Sequence, residues 1–457
     1  MNGKEPDPRD EGHAGRRRPR PASLADSLLY FCLSYGLAIV GYLVLNAAAA
    51  RFLGTSDFGY FVVVLTVTTL LGQQGLLGLH RAGLREAARA QDRETISELR
   101  EGVRAVCLVT LPAVAVLTGV ATWAWRSDPQ AGATGVLTGV LVFLSGYQTL
   151  SANFLRGLGH VRFAGLLEGR SGGALVALGQ ATLVLGVAWL APQWGLAGAL
   201  GGAAAGYVPP LCLAATLLTR SWGTSTVRAR RTVSALRRVV QRDWRFAVAQ
   251  AGAYVNSAVE LWLAGVVLSA GATSLFAAGL RMAQLLLIPP TSLQVVFSPA
   301  VARLAVSPDT GMLQRLVRTG ATVSTGLTGI AWLPMVLAPG LVMTVVFGEG
   351  FGQAAVVLVL LSTGYLVNAL SGPSGITLSM TRHEGDVARV HWCAVAVRLV
   401  AGLLCAWQWG VIGLACSSAA VSVSAYAILW WLARRRVAVS THATLRPDVR
   451  LLRSIAG

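Results

Sequence analysis

Three charged residues stand where charge is expensive. Glu260, Arg281 and Arg398 each fall inside an apolar block long enough to cross a membrane. A charge at the centre of a bilayer costs roughly 3 kcal/mol or more on insertion scales, so such residues mark either a ligand pathway or an ion pair. At 1.5 Å rise per residue, Glu260 and Arg281 lie ~13 Å and ~10 Å from one membrane surface, and Arg398 ~13 Å from the opposite one. Two readings follow for Glu260 and Arg281. Either they pair across adjacent antiparallel helices, or the arginine lines a cavity and exchanges its partner for an anionic ligand. Arg398 has no evident partner in the sequence, and a water-filled cavity is expected around it. The guanidinium suits phosphate, because it stays charged and donates in a planar fork. Gln148, Asn153, Asn256, Gln284 and Asn368 add uncharged polar groups within the apolar blocks, which hydrogen bonding between helices explains equally well.

Other chemistry finds no footing. The six cysteines lie in apolar stretches with no CxxC pair, and the six histidines form no HExxH. Neither a zinc site nor a disulfide framework is expected. The sequence has no GxxxxGK[ST] loop and no Asp-rich metal motif, and the outer connections are too short to build a catalytic domain. No cofactor, no metal and no enzyme activity are expected.

The elements that position these residues follow from composition. Of 457 residues, 54% are hydrophobic and 13% charged, against about 25% charged in soluble domains. Mean hydropathy is +0.59. Only helices or closed barrels satisfy their backbone in lipid, and unbroken apolar blocks of roughly 20 residues mean helices. The expected fold is all-α, a polytopic membrane protein of 12 transmembrane helices. They run over 28–50, 58–79, 103–125, 133–155, 166–190 and 195–219, then 246–269, 274–298, 319–347, 353–380, 390–409 and 411–433. Pro209-Pro210 and Pro289-Pro290 interrupt the sixth and eighth. The segment 28–50 is longer than a signal-peptide core and reads as a retained helix.

Of the 38 lysines and arginines, 34 fall on alternate connections and the two ends. The positive-inside rule then puts both termini in the cytoplasm and the chain in the cytoplasmic membrane. It also accounts for the net charge of +18 without a nucleic-acid partner. Residues 1–27 are basic and proline-rich and are expected to be disordered.

The two halves repeat one another. Gln193-Trp194-Gly195-Leu196-Ala197-Gly198 returns as Gln408-Trp409-Gly410-Val411-Ile412-Gly413, and Leu111-Pro112 as Leu333-Pro334. Each half places a polar inner turn after its fourth helix. The organisation is therefore two parallel six-helix repeats: an N-lobe (28–219), a basic link (220–245), a C-lobe (246–433) and a basic cytoplasmic tail (434–457). The link holds eight arginines and reads as a tether, part-helical from Thr232 to Arg242, lying on lipid headgroups. Such repeats put the substrate between lobes that rock against each other. Arg156, Arg162 and Arg170 stand where a phosphorylated headgroup would arrive, though membrane anchoring explains them equally well.

Short motifs across nearly the whole chain carry a family resemblance. Ala50-Arg51-Phe52-Leu53-Gly54, Asp57-Phe58-Gly59-Tyr60 and Gly75-Leu76-Leu77-Gly78-Leu79-His80-Arg81 resemble the opening of the polysaccharide, or oligosaccharide-lipid, flippases. These belong to the multidrug/oligosaccharidyl-lipid/polysaccharide exporter (MOP) superfamily. Phe276-Ala277-Ala278-Gly279-Leu280-Arg281 is similar to the family's start of helix 8, and Phe347-Gly348-Glu349-Gly350-Phe351 to its turn before helix 10. The resemblance implies a two-lobed fold with a cationic cavity open to the cytoplasm. It also implies a substrate, undecaprenyl-diphosphate-linked oligosaccharide, flipped across the membrane for surface polysaccharide assembly. The partners implied are that lipid-linked sugar diphosphate, membrane lipids and polysaccharide assembly proteins. Arg281 alone is carried over by motif position. Arg398, Glu260, Asn256 and Gln148 rest on their own placement, with Arg281 and Arg398 expected to hold the diphosphate and Glu260 to orient Arg281. The chain lacks the two further C-terminal helices of lipid II flippases. It also lacks an acidic residue within 28–50, where cation-coupled drug antiporters typically carry one. A small-molecule antiporter and a non-transporting scaffold are the alternatives.

Overall fold

The computed structural model describes residues 24–80, 93–125, 129–167, 173–222, 232–304, 310–444 and 448. The N-terminal arm up to residue 23, Arg126, Arg170, link residues 223–231 and most of the chain beyond 444 lie outside them. The described residues contain helices and turns and no strand. Among the described residues, eight helical segments are long and apolar enough to cross a membrane, by length and composition.

Glycine and proline cut these segments differently from the apolar blocks. Helix α1 (Leu24–Gly75) is interrupted only at Gly54, at φ 63°, ψ −164°. That region of backbone space is essentially reserved for glycine, so the expected turn over 51–57 contracts to one residue. Helix α2 (Arg93–Ala105) precedes a π-helical turn (Val106–Thr110) and α3 (Leu111–Trp125). The wide turn lies just before Pro112, which cannot donate to the preceding turn and would clash with it. Helices α4 (Ala131–Gly157), α5 (Val161–Leu167), α6 (Ala174–Leu190), α7 (Gly195–Ala205) and α8 (Val208–Trp222) complete the first half.

Helix α9 (Thr232–Val267) runs unbroken from the basic link into the second half. The link helix is not simply laid on headgroups. Val239 is buried in a cluster with Leu76, Leu79 and Leu99, and Arg238 pairs with Glu101 of α2 at 3.3 Å.

The expected eighth helix divides into α10 (Ala270–Ala283), a 3-10 turn (Gln284–Leu287) and α11 (Ile288–Leu304). Pro289 and Pro290 occupy the first turn of α11, where a missing N–H is harmless. Next come α12 (Thr310–Leu337), α13 (Pro339–Phe347), α14 (Ala355–Ser371), α15 (Ser374–Met380) and α16 (Glu384–Val437), the last interrupted at Gly410.

After α16 the chain is no loose tail. It turns back along the ends of α12 and α14. Thr441 Oγ1 donates to Ser371 O at 2.7 Å and Ala443 N to Leu370 O at 3.0 Å. Those carbonyls are left over where α14 stops at Gly372. Ser440 N donates to Gln314 Oε1, Thr444 N to Thr322 Oγ1 and Asp448 N to Thr319 Oγ1. Val439 is fully buried with Phe297, Val301, Leu316 and Val317.

Candidate functional site

The largest core cluster joins both halves of the chain. Phe58 of α1 meets Phe351 edge-on at 5.5 Å and Phe347 at 6.0 Å. Gly59 N donates to Ser274 Oγ at 2.7 Å, and the Arg51 guanidinium donates to Val345 O. These contacts gather near Gly54 and Gly348, the latter packed against Arg51. Further along α1, the Tyr254 hydroxyl of α9 donates to Thr66 O at 3.0 Å.

Glu260 and Arg281 do not pair. Glu260 pairs instead with Arg398, whose Nε lies 2.8 Å from Oε1, although the N–H does not point at that oxygen. Arg398 Nη1 donates to the backbone oxygen of Asn256 at 3.0 Å and to Asn256 Oδ1 at 3.1 Å. Nη2 donates to Ser422 Oγ at 2.9 Å. The geometry explains the error in the expected pairing. Asn256 and Glu260 are four residues apart and share a face of α9. Arg398 and Ser422 stand equally far on either side of Gly410, so folding α16 there brings them level, ~18 Å from the break. The expected water-filled surround of Arg398 is in fact a set of oxygen atoms on α9 and α16. Both charged side chains are about one-eighth exposed, so the pair is largely withdrawn from solvent.

Arg281 lies elsewhere, in the last turn of α10. Its Nη1 donates to Gln284 Oε1 at 3.0 Å, and its guanidinium carbon lies 5.1 Å from the centre of the Tyr42 ring. Its Nε and Nη2 are buried and have no hydrogen-bond partner among the described residues. The Arg281 side chain helps line a cavity of about 40 Å³ between α1 and the α10–α11 break, with Tyr35, Tyr42, Asn46, Gln284 and Ile288. Because each half supplies one wall, any relative motion of the halves reshapes this cavity.

Gln148 belongs to neither place. It is buried and its amide donates to Leu167 O, closing α4 on α5. Asn256 serves Arg398. The sequence reading passed over Tyr42 and Asn46. Their signal was available: Tyr35, Tyr42 and Asn46 recur at helical spacing on one face of an otherwise apolar segment.

No protein-family model matches the chain, and no curated protein matches it either. Solved structures do match. A lipid II flippase, MurJ, in an inward closed conformation has a TM-score of 0.69 at 10% identity, over 94% of this chain and 90% of that one. An inward-facing multidrug resistance MATE family transporter of the MOP superfamily has 0.58 at 13%, over 91% and 98%. A MOP superfamily transporter from Pyrococcus furiosus has 0.55 at 13%, over 91% and 96%. The chain therefore has the fold of this superfamily's transporters. These neighbours are transporters, none of them an enzyme.

Proposed function

We propose that this protein is a flippase that carries an undecaprenyl-diphosphate-linked oligosaccharide across the cytoplasmic membrane for surface polysaccharide assembly. The N-lobe and C-lobe alternate access to a site between them. The carrying observation is Arg281: a half-buried side chain with two buried, unpartnered guanidinium nitrogens, on a cavity walled by both halves. Shielded from bulk water by the surrounding helices, those donors favour an anion more than they would in solution.

The chain crosses the membrane 12 times in this reading. The segments containing Gly54 and Gly410 each cross twice, and the shorter helices 174–190 and 254–267 cross once each. Exposed Trp123, Trp125, Trp189, Trp194, Trp407 and Trp409 lie near helix ends or breaks, as residues of an interfacial aromatic belt do. With the arginine-rich connections and both termini on the cytoplasmic side, that belt is the outer one. The Phe58–Phe347–Phe351 contact then closes the outer end, and substrate enters from the inside. Glu260 and Arg398 hold the second half in shape, with Arg281 as the phosphate ligand.

The MATE-type neighbours support a second reading, a cation-coupled small-molecule antiporter. Purified protein in vesicles separates the two. Labelled undecaprenyl-diphosphate sugar should reach the far leaflet with wild type, and Arg281→Ala should slow this at least tenfold while inserting normally. Absence of lipid movement, with drug efflux that collapses when the ion gradient is dissipated, would transfer the assignment to the antiporter.

A further inference from the structure

Asn46 lines the same cavity as Arg281 and is fully buried. Its Nδ2 donates to Tyr42 O, one turn back on its own helix, at 2.7 Å. That bond fixes the amide, since reversing it would set Oδ1 against the Tyr42 carbonyl oxygen. Asn46 Oδ1 is thus left as an acceptor, and it has no hydrogen-bond partner among the described residues. Arg281 and Asn46 thus line one cavity together, and each carries buried polar atoms without a partner among the described residues: two donor nitrogens on the cation and one neutral acceptor. An anion alone answers only the first. A carboxylate at position 46 would accept as well but would also neutralise Arg281. The amide accepts and leaves the positive charge available.

We infer that the cavity between Asn46 and Arg281 recognises an anionic group flanked by a hydrogen-bond donor: a phosphoryl group on a sugar that offers a hydroxyl or amide N–H beside it. This rests on the flippase reading and adds a specificity determinant to it. At about 40 Å³ the cavity has room for a few water-sized groups, at ~10–15 Å³ each. It fits the phosphoryl group and its neighbouring donor, while the remaining sugars and the lipid lie outside. A cationic drug meets the wrong charge at Arg281. A bare lipid phosphate leaves Asn46 unanswered, and an unmade buried hydrogen bond weakens binding by about tenfold.

The test uses the full chain in nanodiscs, with binding read by native mass spectrometry. Three probes are compared: undecaprenyl phosphate, undecaprenyl diphosphate carrying an N-acetylhexosamine, and the same lipid carrying a 2-deoxyhexose. Wild type should prefer the N-acetylhexosamine lipid over the 2-deoxy lipid by about tenfold. Asn46→Leu should erase that preference while still binding undecaprenyl phosphate, and Asn46→Ser, which keeps an acceptor oxygen, should retain part of it. Arg281→Ala should lose all three. If Asn46→Leu keeps the preference, or loses undecaprenyl phosphate as well, the inference falls, because the amide then serves nothing or only the cavity's shape. A wild type that binds diphosphate lipids without preference also overturns it, since water alone then answers Asn46, while the flippase reading stands. If wild type binds none of the three better than undecaprenol, both fall together.

Discussion

Consider Arg398→Ala. The substitution removes one side of the pair with Glu260 and three hydrogen bonds, to Asn256 O, Asn256 Oδ1 and Ser422 Oγ. What remains is a carboxylate mostly shielded from water and facing no cation. Breaking a buried pair by deleting one partner costs about 3–5 kcal/mol, because the surviving charge loses its compensation. Replacing both partners with apolar residues of similar size is often near neutral. Arg398→Met and Glu260→Met should therefore each lower the melting temperature in detergent by roughly 10 °C, taking ~2–4 °C per kcal/mol for a unit of roughly 200 residues. The double variant should recover most of that loss, with a coupling energy of about 2 kcal/mol or more.

Additive losses in this cycle would refute the reasoning. So would an Arg398→Ala protein of unchanged stability that inserts in the membrane and fails to move lipid. That outcome would return Arg398 to the substrate. Unchanged stability with normal lipid movement would remove it from both roles.

Two further predictions concern the C-terminal segment. Gly372 has φ +71°, and a Cβ there would stand 2.0 Å from Thr441 O, so Gly372→Ala should expel residues 438–444 and make them sensitive to protease where wild type resists. His442 accepts from Trp430 Nε1 at 3.1 Å, and burial first, then the charges of Arg318 and Arg434, hold its pKa below the ordinary 6.5. Because the folded pKa is the lower one, its contribution to docking is full above the unfolded value near 6.5 and is lost as pH falls through the folded one. The protection factors of the Ser440, Ala443 and Thr444 amides, corrected for the intrinsic slowing of exchange in acid, should fall on acidification below that value, and His442→Phe should flatten this dependence.

The sequence carried the helical architecture because apolar block length and arginine placement are first-order physics in a bilayer. Gly410 was legible as a break, since a glycine between two apolar blocks has few other uses. Gly54 was not, because 51–57 contains polar residues that imitate a loop. The pairing of Glu260 was illegible for a different reason. Depth along a helix can be counted, but which face meets which neighbour depends on packing. Arg281 on the next helix and Arg398 far along the chain were both reachable by depth. The fold at Gly410 decided between them, by bringing Arg398 and Ser422 level beside Asn256. The docked C-terminal segment left no trace in composition, since its arginines suggest a solvated tail while its contacts run through Val439, Thr441 and the backbone.

The two intramembrane arginines show why residue type alone assigns no role. Arg398 and Arg281 have the same five N–H groups and similar expected depth, yet their surroundings differ in one respect that decides function. Around Arg398 the chain supplies a carboxylate, an amide oxygen, a backbone carbonyl and a hydroxyl, all within one half. If the halves rock as rigid units, that set moves together and its energy changes little between states, which is why the proposed function gives it a structural role. Around Arg281 the chain supplies one amide oxygen and an aromatic face, the latter from the opposite half. Its electrostatic satisfaction must change as the halves separate, and a ligand that completes it has different affinities for different states. Differential affinity is the only means by which a ligand shifts a conformational equilibrium. On that ground the proposed substrate site is placed at the arginine whose partners are incomplete and shared between the halves.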